Sequence, residues 1–183
     1  KYIDTLKSNN QTINEMNKMI GNILEIGRQE GAQFEKPVVL DMMRFLKEQI
    51  NNYTILAKME EKEILEEIPT KHYKITIQPT LLIHILQNFV QNAIKFTPKG
   101  GHITIRAYSN KEGFHIFVID EGIGIDESKD LFAPFKRYGN QTGAGLGLFL
   151  AKSAADAIGA KITLKNRTDR EGTIASLLIP HKI

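Results

Sequence analysis

One helix that carries two carboxamides most constrains what this chain can fold into. Pro79 suits the first turn of a helix, and the residues after it place apolar side chains at 3.6-residue spacing as far as Phe96. Asn88 and Asn92 lie one turn apart on this helix and Lys95 follows, so the three can face one spot. A half-buried carboxamide needs a polar partner. The pattern therefore predicts either a ligand site or two Asn side chains that cap neighbouring backbone groups.

A second polar feature follows the apolar segment 114–119. The segment is typical of a buried strand and runs into Asp120, after which come Gly122 and Gly124. Glycine lets the backbone approach a ligand closely, and a carboxylate accepts the hydrogen bonds that an exocyclic amino group donates. The same spacing also occurs in ordinary turns, so this segment alone leaves both interpretations open.

A third feature is a glycine-rich entry into a helix. Gly143, Gly145 and Gly147 precede an apolar-periodic segment that ends near Ile158. Such an entry offers backbone N–H groups and the positive end of a helix dipole to phosphate oxygens. No Gly-Lys-Ser or Gly-Lys-Thr follows and no strand leads directly in, so neither a Walker loop nor a Rossmann fingerprint fits.

Taken in order, these segments resemble the ATP-binding catalytic domain of sensor histidine kinases, within the superfamily that also contains gyrase, Hsp90 and MutL. The resemblance extends over residues 38–180. Its motifs are the N box (Asn88, Asn92, Ala93, Lys95), the first glycine box (Asp120, Gly122, Gly124), the F box (Phe132, Phe135), the second glycine box (Gly143, Gly145, Leu146, Gly147, Leu148) and a final Gly172-Thr173.

The resemblance implies a site for ATP and Mg²⁺. Asn92 would ligate Mg²⁺, Lys95 and Arg137 would balance the triphosphate charge, Asp120 would select adenine, and residues 130–142 would form a mobile lid. A loop arginine such as Arg137 is also commonly just solvated. The residues expected to bind the nucleotide are Asn88, Asn92, Lys95, Phe96, Asp120, Gly122, Gly124, Ile125, Arg137, Gly143, Gly145, Leu146, Gly147 and Thr173. The expected catalytic residues are Asn88, Lys95 and Arg137.

Position 88 bears on the type of reaction. The ATPases and serine kinases of the superfamily typically carry a glutamate one turn before the metal-binding Asn, where it acts as general base. Asn88 cannot take up a proton at neutral pH, whereas a neutral imidazole acceptor already has a nucleophilic lone pair. The residue therefore favours phosphoryl transfer to histidine. Two alternatives stay open: a serine kinase or ATPase of the same superfamily, and a module that binds ATP for sensing or dimerisation without transfer.

The first 30 residues predict a separate long helix. Apolar and Asn residues recur there in steps of three and four, as in a helical bundle. By the resemblance this is the second helix of a dimerisation and phosphotransfer hairpin. We expect a bundle helix over 1–30, a linker over 31–37 and the catalytic domain over 38–183. The helix would form a homodimer in the parent protein or dock on the catalytic domain, because a lone bundle helix leaves an apolar stripe uncovered.

The phosphoacceptor histidine is expected outside this chain. None of the five histidines has the acidic neighbour and Arg-Thr-Pro turn of the acceptor motif in this family. The chain is therefore interpreted as part of a larger kinase. The resemblance implies three partners, namely ATP, the acceptor hairpin of the parent kinase and the receiver domain of a response regulator.

The remaining periodicities predict an α/β fold. Strands are expected at 103–107, 114–119, 162–164 and 174–179, and helices near 41–51, 79–96 and 146–158. The segment KMEEKEILEE reads locally as a helix, but the resemblance places a strand near 64–68, and we expect the strand. The result is a two-layer α/β sandwich of the Bergerat type, with helices on one face of the sheet. Gln78 at the start of the central helix is a poorer cap than the Asp that the family often has.

Composition narrows the class of protein. The net charge is +3 with acidic and basic residues interspersed, which indicates no nucleic-acid surface. The absence of cysteine excludes disulfides and thiolate metal sites and is consistent with the cytoplasm. No stretch has the length of about 18 apolar residues that a membrane span needs, and no signal peptide is visible. A membrane anchor of the parent would lie elsewhere.

Overall fold

The computed structural model describes residues 27, 31–32, 34–134 and 146–181. Its elements are β1 Val38–Asp41, α1 Met42–Met59, β2 Glu63–Glu67, β3 Lys74–Ile77, α2 Pro79–Phe96, β4 His102–Ser109, β5 Gly113–Ile119, α3 Gly147–Ala157, β6 Lys161–Asn166 and β7 Thr173–Pro180. The helix predicted for 1–30 lies almost entirely outside the described residues. That helix and the boundaries at 30 and 37 therefore stay predictions.

Five strands form one mixed sheet in the order β2-β4-β5-β7-β6. β2 pairs in parallel with β4, and the other neighbouring strands are antiparallel. Side chains alternate between the two faces of a strand, so a sheet with one buried face shows buried residues at every second position. The buried apolar side chains of the three central strands are Ile103, Ile105, Ala107, Phe114, Ile116, Val118, Ala175, Leu177 and Ile179.

The helices cover this buried face of the sheet. Leu82 and Ile85 of α2 have no exposed surface, and Phe89 is 2% exposed. α3 packs against α2 with small side chains, among which Ala151 and Ala154 are fully buried. The two-layer α/β sandwich predicted from the sequence is thus confirmed. Within the described part of the chain, no helix combines the length and hydrophobicity that crossing a bilayer requires.

The segment from β1 to β3 departs in two ways from the prediction. α1 continues to Met59 instead of ending near residue 51, because Tyr53 and Ala57 extend its buried face. β1 and β3 were not predicted and form a small antiparallel sheet in which Val38 lies opposite Ile77. The strand expected near 64–68 is confirmed as β2, whose pairing with β4 overrides the local helix propensity.

The start of α2 is capped by a residue that is distant in sequence. Gln78 occupies the N-cap position and makes no side-chain hydrogen bond there. Instead, the Glu35 carboxylate accepts hydrogen bonds from the backbone N–H and the hydroxyl of Thr80, both at 3.1 Å. A carboxylate at this end of a helix satisfies orphan donors and complements the helix dipole. The segment before β1 is therefore fixed to the helix that carries Asn88 and Asn92.

Candidate functional site

The carboxylate of Asp120 stands at the end of β5, next to the start of β7. Its Oδ1 accepts hydrogen bonds from the backbone N–H of Gly122 at 2.8 Å and of Thr173 at 2.9 Å. The Asp120 N–H donates in turn to the Thr173 carbonyl at 2.9 Å. Asp120 is only 6% exposed, and this burial raises its pKa, while the hydrogen bonds from Gly122 and Thr173 partly offset the shift. The site therefore contains a hydrogen-bond acceptor, the Asp120 carboxylate, that is fixed in orientation and largely shielded from solvent.

The two glycines after Asp120 are required by close contacts. A Cβ added at Gly122 would lie 3.0 Å from Asp120 Oδ1 and 3.0 Å from Phe96 Cβ. Gly124 has a φ of +79°, in the left-handed region that glycine favours. The loop thus approaches Phe96 at the end of α2 so closely that a larger residue at position 122 would require its neighbours to shift.

Asn88 connects α2 to the first turn of α3. Its Nδ2 donates to the His84 carbonyl at 2.9 Å, one turn earlier on the same helix. A Cβ added at Gly147, the first residue of α3, would lie 2.5 Å from Asn88 Oδ1. The structure therefore brings together two residues that the sequence assigned to separate motifs, the N box and the second glycine box.

The other N-box residues continue from Asn88 toward Asp120. Asn92 is half-buried, one turn after Asn88, and Lys95 is exposed. The Lys95 ammonium lies 4.8 Å from the centroid of the Phe96 ring, within the range of a cation–π contact. Phe96 in turn touches the Gly122 loop. α2 therefore lies against the loop after Asp120 through Phe96 and against the N-terminus of α3 through Asn88.

Part of the predicted site lies outside the described residues. This holds for Phe135, Arg137, Gly143 and Gly145 and for most of the lid expected at 130–142. Leu146 is described and buried, with 3% of its surface exposed. Leu146 holds the N-cap position of α3, and its side chain makes no capping hydrogen bond. Backbone N–H groups of a first helical turn without a side-chain cap suit an anion.

Two residues near the site were not identified in the sequence interpretation. Arg167 donates from Nη1 to the Asp120 carbonyl at 3.3 Å, and its guanidinium also binds the Asp169 carboxylate. Asn166 hydrogen-bonds the backbone of Ile125. Asn166 is the last residue of β6, and Arg167 follows it directly. The one available signal was their position just before the Gly172-Thr173 turn, which the resemblance had already placed at the nucleotide.

The residues present suit a metal held mainly by its nucleotide. Among the described residues there is no group of three or more His, Asp or Glu side chains that could hold a metal ion. Mg²⁺ usually keeps several waters and takes one or two protein ligands besides phosphate oxygens. A single carboxamide oxygen on the half-buried Asn92 fits that pattern of binding.

Comparisons with known proteins show which proteins this chain resembles. Residues 77–183 match the family described as Histidine kinase-, DNA gyrase B-, and HSP90-like ATPase. The sensor histidine kinase WalK of Bacillus subtilis is 26% identical over 178 residues, which are 91% of this chain and 29% of WalK. The sensor protein BasS of Salmonella typhimurium is 40% identical over 103 residues, which are 55% of this chain and 29% of BasS. The chain spans about a third of the length of the curated relatives it matches.

Solved structures show the same fold. The catalytic domain of the histidine kinase ThkA, in a nucleotide-free form, superposes with a TM-score of 0.71 at 24% identity, covering 80% of this chain and 96% of that domain. Full-length ShkA in complex with AMPPNP gives a TM-score of 0.72 at 23% identity, covering 91% of this chain and 36% of ShkA. At such identities the likeness establishes the architecture and the order of its elements.

Proposed function

Because the chain belongs to the histidine kinase-, DNA gyrase B- and HSP90-like ATPase family, we propose that it is the catalytic domain of a sensor histidine kinase. In this proposal it binds Mg-ATP and donates the γ-phosphoryl group to a histidine outside the chain. The observation that carries the proposal is the buried Asp120 carboxylate, whose loop lies against Phe96 at the end of α2, while Asn88 on the same helix lies against the first residue of α3.

Asp120 is proposed to select the base. Two backbone N–H groups hold its Oδ1 and so fix the plane of the carboxylate, which keeps further lone pairs for a ligand. The adenine amino group donates hydrogen bonds, whereas guanine presents a carbonyl oxygen at the equivalent position. A carboxylate facing that oxygen would be repelled. The chain should therefore prefer ATP to GTP.

The triphosphate is proposed to lie between α2 and the start of α3. Asn92 would hold Mg²⁺, which supplies positive charge that offsets the charge of the phosphate oxygens. Lys95 and Arg137 would balance the negative charge of the same phosphates. Gly143, Gly145 and Gly147 would present backbone N–H groups, because no side chain is there to keep the phosphates away. Catalysis of phosphoryl transfer is mostly this kind of positioning and charge neutralisation.

Asn88 is proposed to hold the first turn of α3 in place beside α2. It is not proposed to take up a proton. Its Nδ2 is engaged by the His84 carbonyl and its Oδ1 faces Gly147. A carboxamide does not accept a proton at neutral pH, so water near this residue would lack a general base. A histidine acceptor brings its own nucleophilic nitrogen. The site is therefore suited to transfer more than to hydrolysis.

The remaining partners follow from the same proposal. The acceptor would lie on a hairpin whose second helix is formed by residues 1–30, through which the parent kinase would dimerise. A response regulator would then take the phosphoryl group from that histidine. The domain would work in the cytoplasm, as in the structure described as the cytoplasmic segment of the histidine kinase QseC.

The test is transfer of labelled γ-phosphate from Mg-ATP to a separate piece of the parent kinase that contains the acceptor helix. Acid-labile, base-stable label on that piece is the expected result. Asn92→Ala should lower the rate by about 100-fold or more, as loss of a charge-stabilising group does. Asn52→Ala, which removes an exposed carboxamide from α1, is the matched control and should transfer normally.

Other outcomes would redirect the proposal. Release of free phosphate without label on the acceptor would favour an ATPase, and acid-stable label would favour a serine kinase. Binding of Mg-ATP with neither product would favour a sensing module. Transfer at the parental rate by Asn92→Ala would contradict the metal assignment.

A further inference from the structure

The side chain of Asn166, the last residue of β6, hydrogen-bonds the loop that contains the first glycine box. Its Oδ1 accepts a hydrogen bond from the Ile125 N–H at 2.7 Å, and its Nδ2 donates to the Ile125 carbonyl at 2.8 Å. Both polar atoms of one side chain therefore bind the backbone of one residue 41 positions away. Two parallel hydrogen bonds fix orientation as well as distance.

Gly124 is shaped to admit this carboxamide. Its backbone is left-handed, with a φ of +79°, and a Cβ added there would lie 2.5 Å from Asn166 Oδ1. Any larger residue would thus be strained by its backbone and would displace the Asn166 side chain. The second glycine of the Asp-x-Gly-x-Gly pattern is therefore explained by a contact inside the protein as well as by the approach of a ligand.

The segment that Asn166 holds has no regular structure of its own. Residues 121–126 form neither strand nor helix, and Ile123 within them is 80% exposed. At the other end of the segment, Arg167 donates to the Asp120 carbonyl at 3.3 Å. Two consecutive residues at the end of β6 therefore hold the loop at both of its ends, Arg167 next to Asp120 and Asn166 next to Gly124.

We infer that Asn166 is a positioning residue of the adenine site. This inference rests on the proposed function, since it assigns Asn166 a role in binding the base that Asp120 is proposed to select. Asn166 would act through Ile125 and Gly124, setting the path of the loop and hence the space beside the Asp120 carboxylate. It would have no part in holding the phosphates, because its contacts lie on the loop and not on α2 or α3.

The test compares nucleotide binding and transfer by Asn166→Ala with the parent chain. The dissociation constants for ATP and ADP should both rise by about tenfold. Without the two hydrogen bonds from Asn166, the loop is no longer ordered before the nucleotide binds, so its ordering weakens binding. The preference for ATP over GTP should narrow. The rate at saturating ATP should stay close to that of the parent, because the phosphates are held elsewhere. A residue that only stabilises the fold would not raise KM while leaving kcat unchanged. It also would not change the preference for ATP over GTP.

Asn110→Ala is the matched control. The Asn110 side chain also holds a turn, by accepting hydrogen bonds from Glu112 N–H at 2.8 Å and Gly113 N–H at 3.3 Å, but this turn joins β4 to β5. Its loss should change stability without changing the ATP dissociation constant. Asn166→Asp is a second variant of nearly the same shape. It places an oxygen against the Ile125 carbonyl and should also weaken ATP binding.

A double variant tests the geometry directly. In the parent chain Gly124→Ala introduces backbone strain and a clash with Asn166, whereas in Asn166→Ala only the strain remains. The fold-loss of ATP affinity caused by Gly124→Ala should therefore be smaller in the Asn166→Ala background. Equal losses of ATP affinity in the two backgrounds, or unchanged ATP affinity in both Asn166 variants, would overturn the inference about Asn166. Neither result would contradict the proposed function. A parent chain that binds neither ATP nor ADP would refute the proposed function together with it.

Discussion

Gly172→Ala is a substitution for which the structure predicts a large loss of stability although no polar group is removed. Gly172 has a φ of +137°, and a Cβ added there would lie 2.1 Å from the backbone oxygen of Asp120 and 2.6 Å from Arg167 Cδ. Real Cβ atoms do not approach backbone oxygens so closely, so the β6–β7 turn or the end of β5 must move. Either movement also changes the distance between the Thr173 N–H and Asp120 Oδ1, which are hydrogen-bonded in the parent chain.

The size of the effect can be worked out against Gly159. Gly159 also has a positive φ, +71°, but nothing lies within 4 Å of an added Cβ. Gly159→Ala should therefore cost only the left-handed backbone term, about 1–2 kcal/mol. Gly172→Ala carries a comparable backbone term and an overpacking term of about 1–3 kcal/mol. We expect a total of about 2–5 kcal/mol, a large share of the roughly 5–15 kcal/mol by which domains are stable.

Urea unfolding of the two variants and the parent chain is the assay. With an m value of about 2 kcal/mol/M, an excess cost of about 2 kcal/mol moves the midpoint of Gly172→Ala about 1 M below that of Gly159→Ala. The ATP dissociation constant should rise in Gly172→Ala under conditions where it is folded, and should be unchanged in Gly159→Ala. Equal midpoints for the two variants would refute the packing argument.

Two further predictions concern the ionisation of Asp120 and the cap of α2. Burial raises the Asp120 pKa above the ordinary 3.8, so protonation removes the adenine acceptor at a higher pH than for a free aspartate. ATP affinity should therefore fall as the pH drops through that raised pKa. A titration of Asp120→Asn with the same fall would contradict this assignment. Glu35→Ala should lower the free energy of unfolding by about 1 kcal/mol, because Thr80 loses its cap. Gln78→Asp should restore most of that loss, and no recovery in the double variant would show that Glu35 does not act as the cap.

Local patterns were enough to predict the central helix and most of the sheet. α2 has the predicted bounds, because its apolar stripe, its N-terminal Pro79 and its terminating Thr97-Pro98 all agree. The strands β4 to β7 alternate in the way that one buried face demands. α1 was predicted to end near residue 51, whereas burial of Tyr53 and Ala57 carries the helix to Met59.

The contacts that set the site were harder to predict, since they join residues far apart in sequence. Glu35 caps Thr80, and Asn166 holds Ile125, across 45 and 41 positions respectively. No periodicity marks such pairs, because each involves one polar side chain in an irregular segment. The glycines were recognised as a pattern, but the contacts that require them became visible only in three dimensions. Asn166 filling the space at Gly124 is the clearest case.

The position of β7 has a consequence for how the protein is made. β7 lies inside the sheet, between β5 and β6, although every other described strand precedes it in the chain. A ribosome adds about 5–20 residues per second. Until residues 173–180 have emerged, β5 and β6 each carry an open edge that other nascent chains can pair with. The Asp120 carboxylate also lacks its Thr173 donor until then. A chain stalled before residue 173 should therefore bind ATP more weakly than the finished chain.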